Sequence, residues 1–101
     1  MRRYEMMVIL HDSLDDEAVQ GVLQRIRDLI TGQGGALIDE AFWGKRELAY
    51  EIAKRHYGWY AVLDFESSTE ALNELERQLK LSDNVVRFKT VRPELRVTQS
   101  R

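Results

Sequence analysis

The sequence predicts an α+β fold in which two helices cover one face of a four-stranded antiparallel sheet. Three observations predict it. Hydrophobicity follows a period of two, then of about 3.6, in the order strand, helix, strand, strand, helix, strand. Each helical segment carries one continuous apolar stripe. The chain has 101 residues, enough for one core but not two, so both stripes must pack on the same sheet. This is the ferredoxin-like split βαβ arrangement, whose usual topology places the first and third strands in the centre.

The first strand spans residues 3 to 10. Tyr4, Met6, Val8 and Leu10 alternate with Glu5, Met7 and Ile9, and both sides are mainly apolar, as a central strand requires. Ser13 or Asp15 starts the first helix, and Asp15, Asp16 and Glu17 suit the positive end of its dipole. Val19, Val22, Leu23, Ile26, Leu29 and Ile30 form its stripe. Gly21 costs the helix up to about 1 kcal/mol relative to alanine, which suggests a close approach to the sheet. Gly32, Gly34 and Gly35 stop the helix.

The second strand is expected over Ala36 to Trp43, with Leu37 inward and Asp39 and Glu40 marking an edge. The third spans Gly58 to Glu66, with Trp59, Ala61, Leu63 and Phe65 alternating against Tyr60, Val62, Asp64 and Glu66. Ser67 and Glu70 match a capping box. Ala71, Leu72, Leu75 and Leu79 follow as the second stripe, with Leu81 at the helix end. Ser82-Asp83-Asn84 is turn chemistry, Val85 to Val91 the fourth strand, and Pro93 its stop. Residues 1–93 therefore form the expected domain, and residues 94–101 a polar, flexible tail.

Composition narrows the function. Hydrophobic residues make up 44% and charged residues 32%, the balance of a soluble globular chain. Without cysteine there is no disulfide, thiolate nucleophile or thiolate metal site. No apolar run reaches membrane-spanning length. Arg2 and Arg3 could open a signal peptide, but Glu5 breaks the apolar run, His11-Asp12 end it, and no small-residue cleavage site follows. A strand of a cytoplasmic protein is the expectation. Net charge is −2, unlike a generic nucleic-acid binder. The distribution says more. Residues 84 to 101 carry Arg87, Lys89, Arg92, Arg96 and Arg101 against Glu94 alone, whereas Asp64 to Glu76 holds acids without a cation. Such a chain can show opposite charge to two partners, or its acids can simply serve local helix starts.

Catalytic and metal chemistry find little support. His11 and His56 are far apart in the chain and neither pairs with a carboxylate at metal spacing. Ser13, Ser67, Ser68 and Ser82 stand at turns or caps. Gly32-Gln33-Gly34-Gly35 follows a helix, the wrong place for a phosphate loop. Asp12, Asp15, Asp16 and Glu17 lack the closing glutamate of a calcium loop. No cofactor or metal is expected.

RNA binding has two routes. An RNA-recognition motif stacks bases on aromatics of its third strand. The corresponding run Tyr57-Gly58-Trp59-Tyr60-Ala61-Val62-Leu63-Asp64 keeps Gly58 and Val62 but breaks the pattern at Tyr60, Ala61 and Asp64. The better route is phosphate contact by cations on loops and strand ends. The candidates are Arg2, Arg3, Lys45, Arg46, Arg87, Lys89 and Arg92, each also readable as a solvated surface cation. Trp43, Tyr50 and Trp59 read as packing residues of a long hairpin. Met7, Ile9, Tyr60 and Val62 should line the open side of the sheet, more apolar surface than a small monomer shows to water, which suggests a protein partner.

One stretch carries a family resemblance. Gly44, Arg46, Leu48-Ala49-Tyr50, Ile52 and Lys54, then Gly58-Trp59, resemble the signature of the bacterial small-subunit ribosomal protein six family. The opening Met1-Arg2-Arg3-Tyr4-Glu5 and Asp83-Asn84-Val85 are similar to it too, so the resemblance covers roughly the whole chain. It departs at Glu51, where many members have proline, which would stiffen the loop. The resemblance implies a ribosomal protein and no enzyme. It implies pairing with small-subunit ribosomal protein eighteen, and joint binding to the central domain (platform) of the small-subunit ribosomal RNA in the cytoplasm. It also implies weak RNA binding alone, and it puts Arg46 first among the phosphate contacts, with Arg2 and Arg3 next. The competing classes are a small dimeric enzyme of the same fold, for which no buried polar constellation is seen, and a ligand-sensing module that dimerises through its sheet.

Overall fold

The computed structural model describes residues 1–52 and 54–93. Among them the chain runs β1 (Arg2–His11), α1 (Asp16–Gly32), β2 (Ala36–Ile52), β3 (Arg55–Ser67), α2 (Thr69–Leu81) and β4 (Val85–Val91). The strands form one antiparallel sheet in the order β2-β3-β1-β4, so β1 and β3 are central. Fold class and topology agree with the sequence. The expected tail, residues 94–101, lies outside the described residues.

The core is the layer between the helices and one sheet face. Met6, Val8 and Leu10 of β1 and Ala61, Leu63 and Phe65 of β3 meet Val19, Leu23, Ile26 and Ile30 of α1 and Leu72, Leu75 and Leu79 of α2. Fully burying one such large side chain contributes roughly 1.5–3 kcal/mol, so these two stripes dominate the stability of the helices. Tyr4 and Phe65 pack ring to ring at one end, 6.0 Å between centroids.

Local chemistry sets the helix starts. Asp15 caps α1, accepting from Ala18 N at 2.8 Å. The second cap corrects the sequence reading by one residue. Ser68, not Ser67, accepts from Ala71 N at 3.1 Å. Ser67 is the last residue of β3, buried, and its hydroxyl donates to Ser68 O. The strand pairs one residue further than its alternation suggested, and the cap moves with it. Gly21 is also corrected. It is exposed and no atom would lie within 4 Å of an added Cβ, so close approach to the sheet is not its role.

The largest difference is β2, which continues nine residues beyond the predicted stop at Trp43 to Ile52. Register breaks between Leu37 and Asp39, Phe42 and Gly44, and Glu47 and Ile52 explain why. The first two each add one residue to β2, and such a bulge bends the strand and interrupts its alternation, so a period-two search loses it. Gly44 sits in the second break at φ +83°, a conformation that strains a side chain. At the edge, Arg27 Nη1 of α1 donates to both carboxylate oxygens of Glu40 at 2.7 Å, tying β2 to the helix layer.

Candidate RNA and protein interface

Two surfaces remain once the core is built: the open sheet face opposite the helices, and the long β2–β3 hairpin. Odd-numbered residues of β1 face the open side, and strand register extends that side across the sheet. A shallow groove of about 570 Å³ runs along it, floored by Met7, Ala41 and Val62 and bounded by Asp39, Trp43 and Lys89. A second hollow of about 270 Å³ shares Met7 and Lys89 and lies under Leu48, Tyr50 and Ile52 of the hairpin.

The hairpin therefore curls back over the sheet. Leu48 is buried, and the Tyr50 hydroxyl accepts from Arg87 Nη1 on β4. Gly58 permits this. A Cβ there would stand 2.5 Å from Ile9 Cγ2 and 3.5 Å from Leu48 Cδ2. The expectation of an exposed Ile9 is corrected, because it is only 4% exposed. Met7, Tyr60 and Val62 remain half-buried on the open face.

The predicted cations do not form one patch. Arg3 is held by Asp64 in a two-pronged ion pair, at 3.0 Å from Nε and 2.6 Å from Nη2. Arg2 is exposed at the start of β1, and Arg92 follows the end of the neighbouring antiparallel β4. Arg87 and Lys89 lie on the open face, beside the residues predicted to meet protein. Lys45 and Arg46 stand on opposite sides of the hairpin. Lys45 Nζ lies 5.6 Å from the Trp59 ring centroid, and Trp59 stacks on Phe42. Arg46 lies 5.6 Å from the Trp43 ring, which stacks on Tyr60, and its Nε donates to Trp43 O at 3.1 Å. These contacts hold each cation against an aromatic plane while leaving both residues exposed.

Trp43 and Tyr50 were expected as packing residues, and each packs on one side only. They are 46% and 60% exposed. Trp59 is half-buried and donates from Nε1 to Leu14 O at 3.1 Å. Sequence reasoning passed over Asp39 and Leu48 as surface-forming residues. Asp39 was visible as a polar edge residue, but the bulge before it hid which face it shares. Leu48 acts only because the hairpin bends.

The resolved pKa shifts lie away from both surfaces. The Arg77 guanidinium, with Gln78, holds the Glu74 carboxyl down at about 2, and Glu74 raises Arg77 in turn. Among the described residues no group of three His, Cys, Asp or Glu could hold a metal ion, and no helix is long and apolar enough to cross a membrane.

Comparison with known proteins points one way. The sequence matches the family described as Ribosomal protein S6 over residues 3–92. It is 46% identical over 96 residues to small ribosomal subunit protein bS6 of Salinispora arenicola, covering 95% of this chain and 100% of that one. It is 45% identical over 93 residues to the protein of the same name from Symbiobacterium thermophilum, covering 92% and 98%. A crystal structure of 30S ribosomal protein S6 from Thermotoga maritima superposes with a TM-score of 0.87 at 28% identity, over 97% of this chain and 94% of that one.

Proposed function

The chain belongs to the ribosomal protein S6 family, a non-enzymatic component of the small ribosomal subunit in the bacterial cytoplasm, and on that premise we propose how it works there. It binds the central domain of the small-subunit ribosomal RNA at the platform, jointly with small-subunit ribosomal protein eighteen. The observation that carries this reading is the separation of two surfaces. The hairpin presents Lys45 and Arg46 as cations braced on Trp59 and Trp43. The open face presents an apolar floor beside carboxylates.

Phosphate oxygens suit the first surface. A guanidinium held against an indole loses less rotamer entropy on meeting an anion, and it releases counterions as it does so. Arg46 leads this set, followed by Lys45, Arg2 and Arg92. Arg3 is committed to Asp64 and contributes less. Four such contacts on a chain of net charge −2 make a weak RNA ligand by themselves. A basic protein partner on the acidic, apolar face supplies the missing positive field.

The test is assembly of the two purified proteins on a central-domain RNA fragment across a salt titration. Arg46→Ala should weaken assembly and reduce the log–log salt slope by about one. An unchanged slope and midpoint would remove Arg46 from the RNA contact. Absence of the tagged protein from purified small subunits would overturn the assignment to the particle itself.

A further inference from the structure

Resting on that phosphate reading, we propose that the β2–β3 hairpin lies between two backbone segments of the RNA. Arg46 meets a phosphate on one broad side of the hairpin, and Lys45 meets a phosphate on the other.

Strand register sets the two sides. Ala41 pairs with Val62 on the open side, and Phe42 pairs with Ala61 on the helix side. Strict alternation from there would put Lys45 on the open side and Arg46 on the helix side. The bulge reverses this. One extra residue between Phe42 and Gly44 leaves Lys45 opposite Trp59 and Arg46 opposite Gly58. Trp59 belongs to the helix side, where it packs against the core and donates to Leu14 O. Tyr60 lines the open face beside Met7, and Trp43, which stacks on Tyr60, carries Arg46. Consecutive cations therefore project to opposite sides, each over an indole that stacks on a further ring.

Both platforms keep aromatic surface open to solvent, with Phe42 41% and Trp43 46% exposed. Cations set among exposed rings are the composition of a nucleic-acid surface. Arg46 Nε is taken by Trp43 O, so the phosphate on that side is met by Nη1 and Nη2. A β-ribbon with its side chains is roughly 10 Å thick, so the two charges cannot share one phosphate. A backbone passing on one side only would leave the other cation in water. One segment along each side satisfies both. The sides are unequal. Glu47 pairs with Tyr57 on the Lys45 side and is exposed, and Arg55, further along that side, is tied to Asp12 at 2.8 Å. Lys45 thus meets its phosphate beside a carboxylate, and its contact is the weaker one.

Assembly with purified small-subunit ribosomal protein eighteen on a central-domain RNA fragment tests this, read by salt titration and by hydroxyl-radical footprinting of the RNA. Circular dichroism confirms that each variant is folded. Lys45→Ala and Arg46→Ala should each lower the log–log salt slope by about one, and the double variant by about two. Lys45→Ala should raise Kd less than Arg46→Ala does. Each variant should expose a different stretch of RNA backbone to cleavage. If Arg46→Ala changes the slope and Lys45→Ala does not, the two-sided placement is wrong while the phosphate reading stands. Loss of protection at the same nucleotides in both variants would place both cations on one segment and overturn the proposal. Weaker binding of Lys45→Ala to protein eighteen without RNA would give that side to the protein partner, with the same consequence. If neither variant changes the slope, the phosphate reading itself falls and takes this proposal with it.

Discussion

The hydroxyl of Tyr50 accepts a hydrogen bond from Arg87 Nη1 at 2.5 Å, joining residues 37 positions apart. Tyr50 belongs to the far end of β2 and Arg87 to β4, the strand at the opposite edge of the sheet. The bond can form only because the hairpin bends across the open face. It pins the docking surface to the element that carries Lys45 and Arg46.

Tyr50→Phe removes that pin with little else. Both side chains are exposed, so global stability should fall by no more than about 1 kcal/mol. Amide exchange over residues 47–52 should speed up while the β1 and β3 amides keep their protection. Unchanged exchange in the hairpin would show that Leu48 alone holds it down.

Gly58→Ala should cost about 1–3 kcal/mol, because its Cβ would sit 2.5 Å from Ile9 Cγ2 and 3.2 Å from Leu10 O. Much of that cost should vanish in an Ile9→Ala background, where the nearer obstacle is gone. A double-mutant cycle by urea unfolding measures the coupling. Simple additivity would place the strain on the Leu10 carbonyl.

Thr90 carries a buried hydroxyl that finds no hydrogen-bond partner among the described residues. A buried unpaired hydroxyl costs about 1–3 kcal/mol. Thr90→Val should therefore stabilise the protein by about 1 kcal/mol, raising Tm by about 4–8 °C. A lower Tm would mean that the hydroxyl is satisfied in solution.

Glu74 gives an acid limb to the stability profile. Its folded pKa, about 2, lies below its ordinary 4.5, with the Arg77 hydrogen bond the largest cause. The pair's contribution is complete above about pH 4.5 and is lost as pH falls toward 2. In Arg77→Ala the carboxyl should titrate closer to 4.5 by NMR, and the acid limb should become shallower in this window. The same Glu74 titration in both proteins would contradict the contact. The pair is solvent-exposed, so its effect on stability at neutral pH is small.

Local pattern was enough for the layers of this protein. The alternation of Tyr4, Met6, Val8 and Leu10 marked β1 as central, and the stripe from Val19 to Ile30 placed α1 on the sheet. Those features repeat at fixed spacing, so a chain reports them without its partners. Tertiary structure alone decided the surfaces. Three register breaks carried β2 on to Ile52, folded Leu48 over Ile9, and brought Tyr50 to Arg87. It also tied Arg3 to Asp64 and set Arg87 and Lys89 on the face with Met7 and Val62. A bulge adds one residue and changes which residues share a face beyond it, and the pairings that follow join residues distant in sequence. Periodicity along a single strand contains neither quantity, so the core was legible in one dimension and the interface only in three.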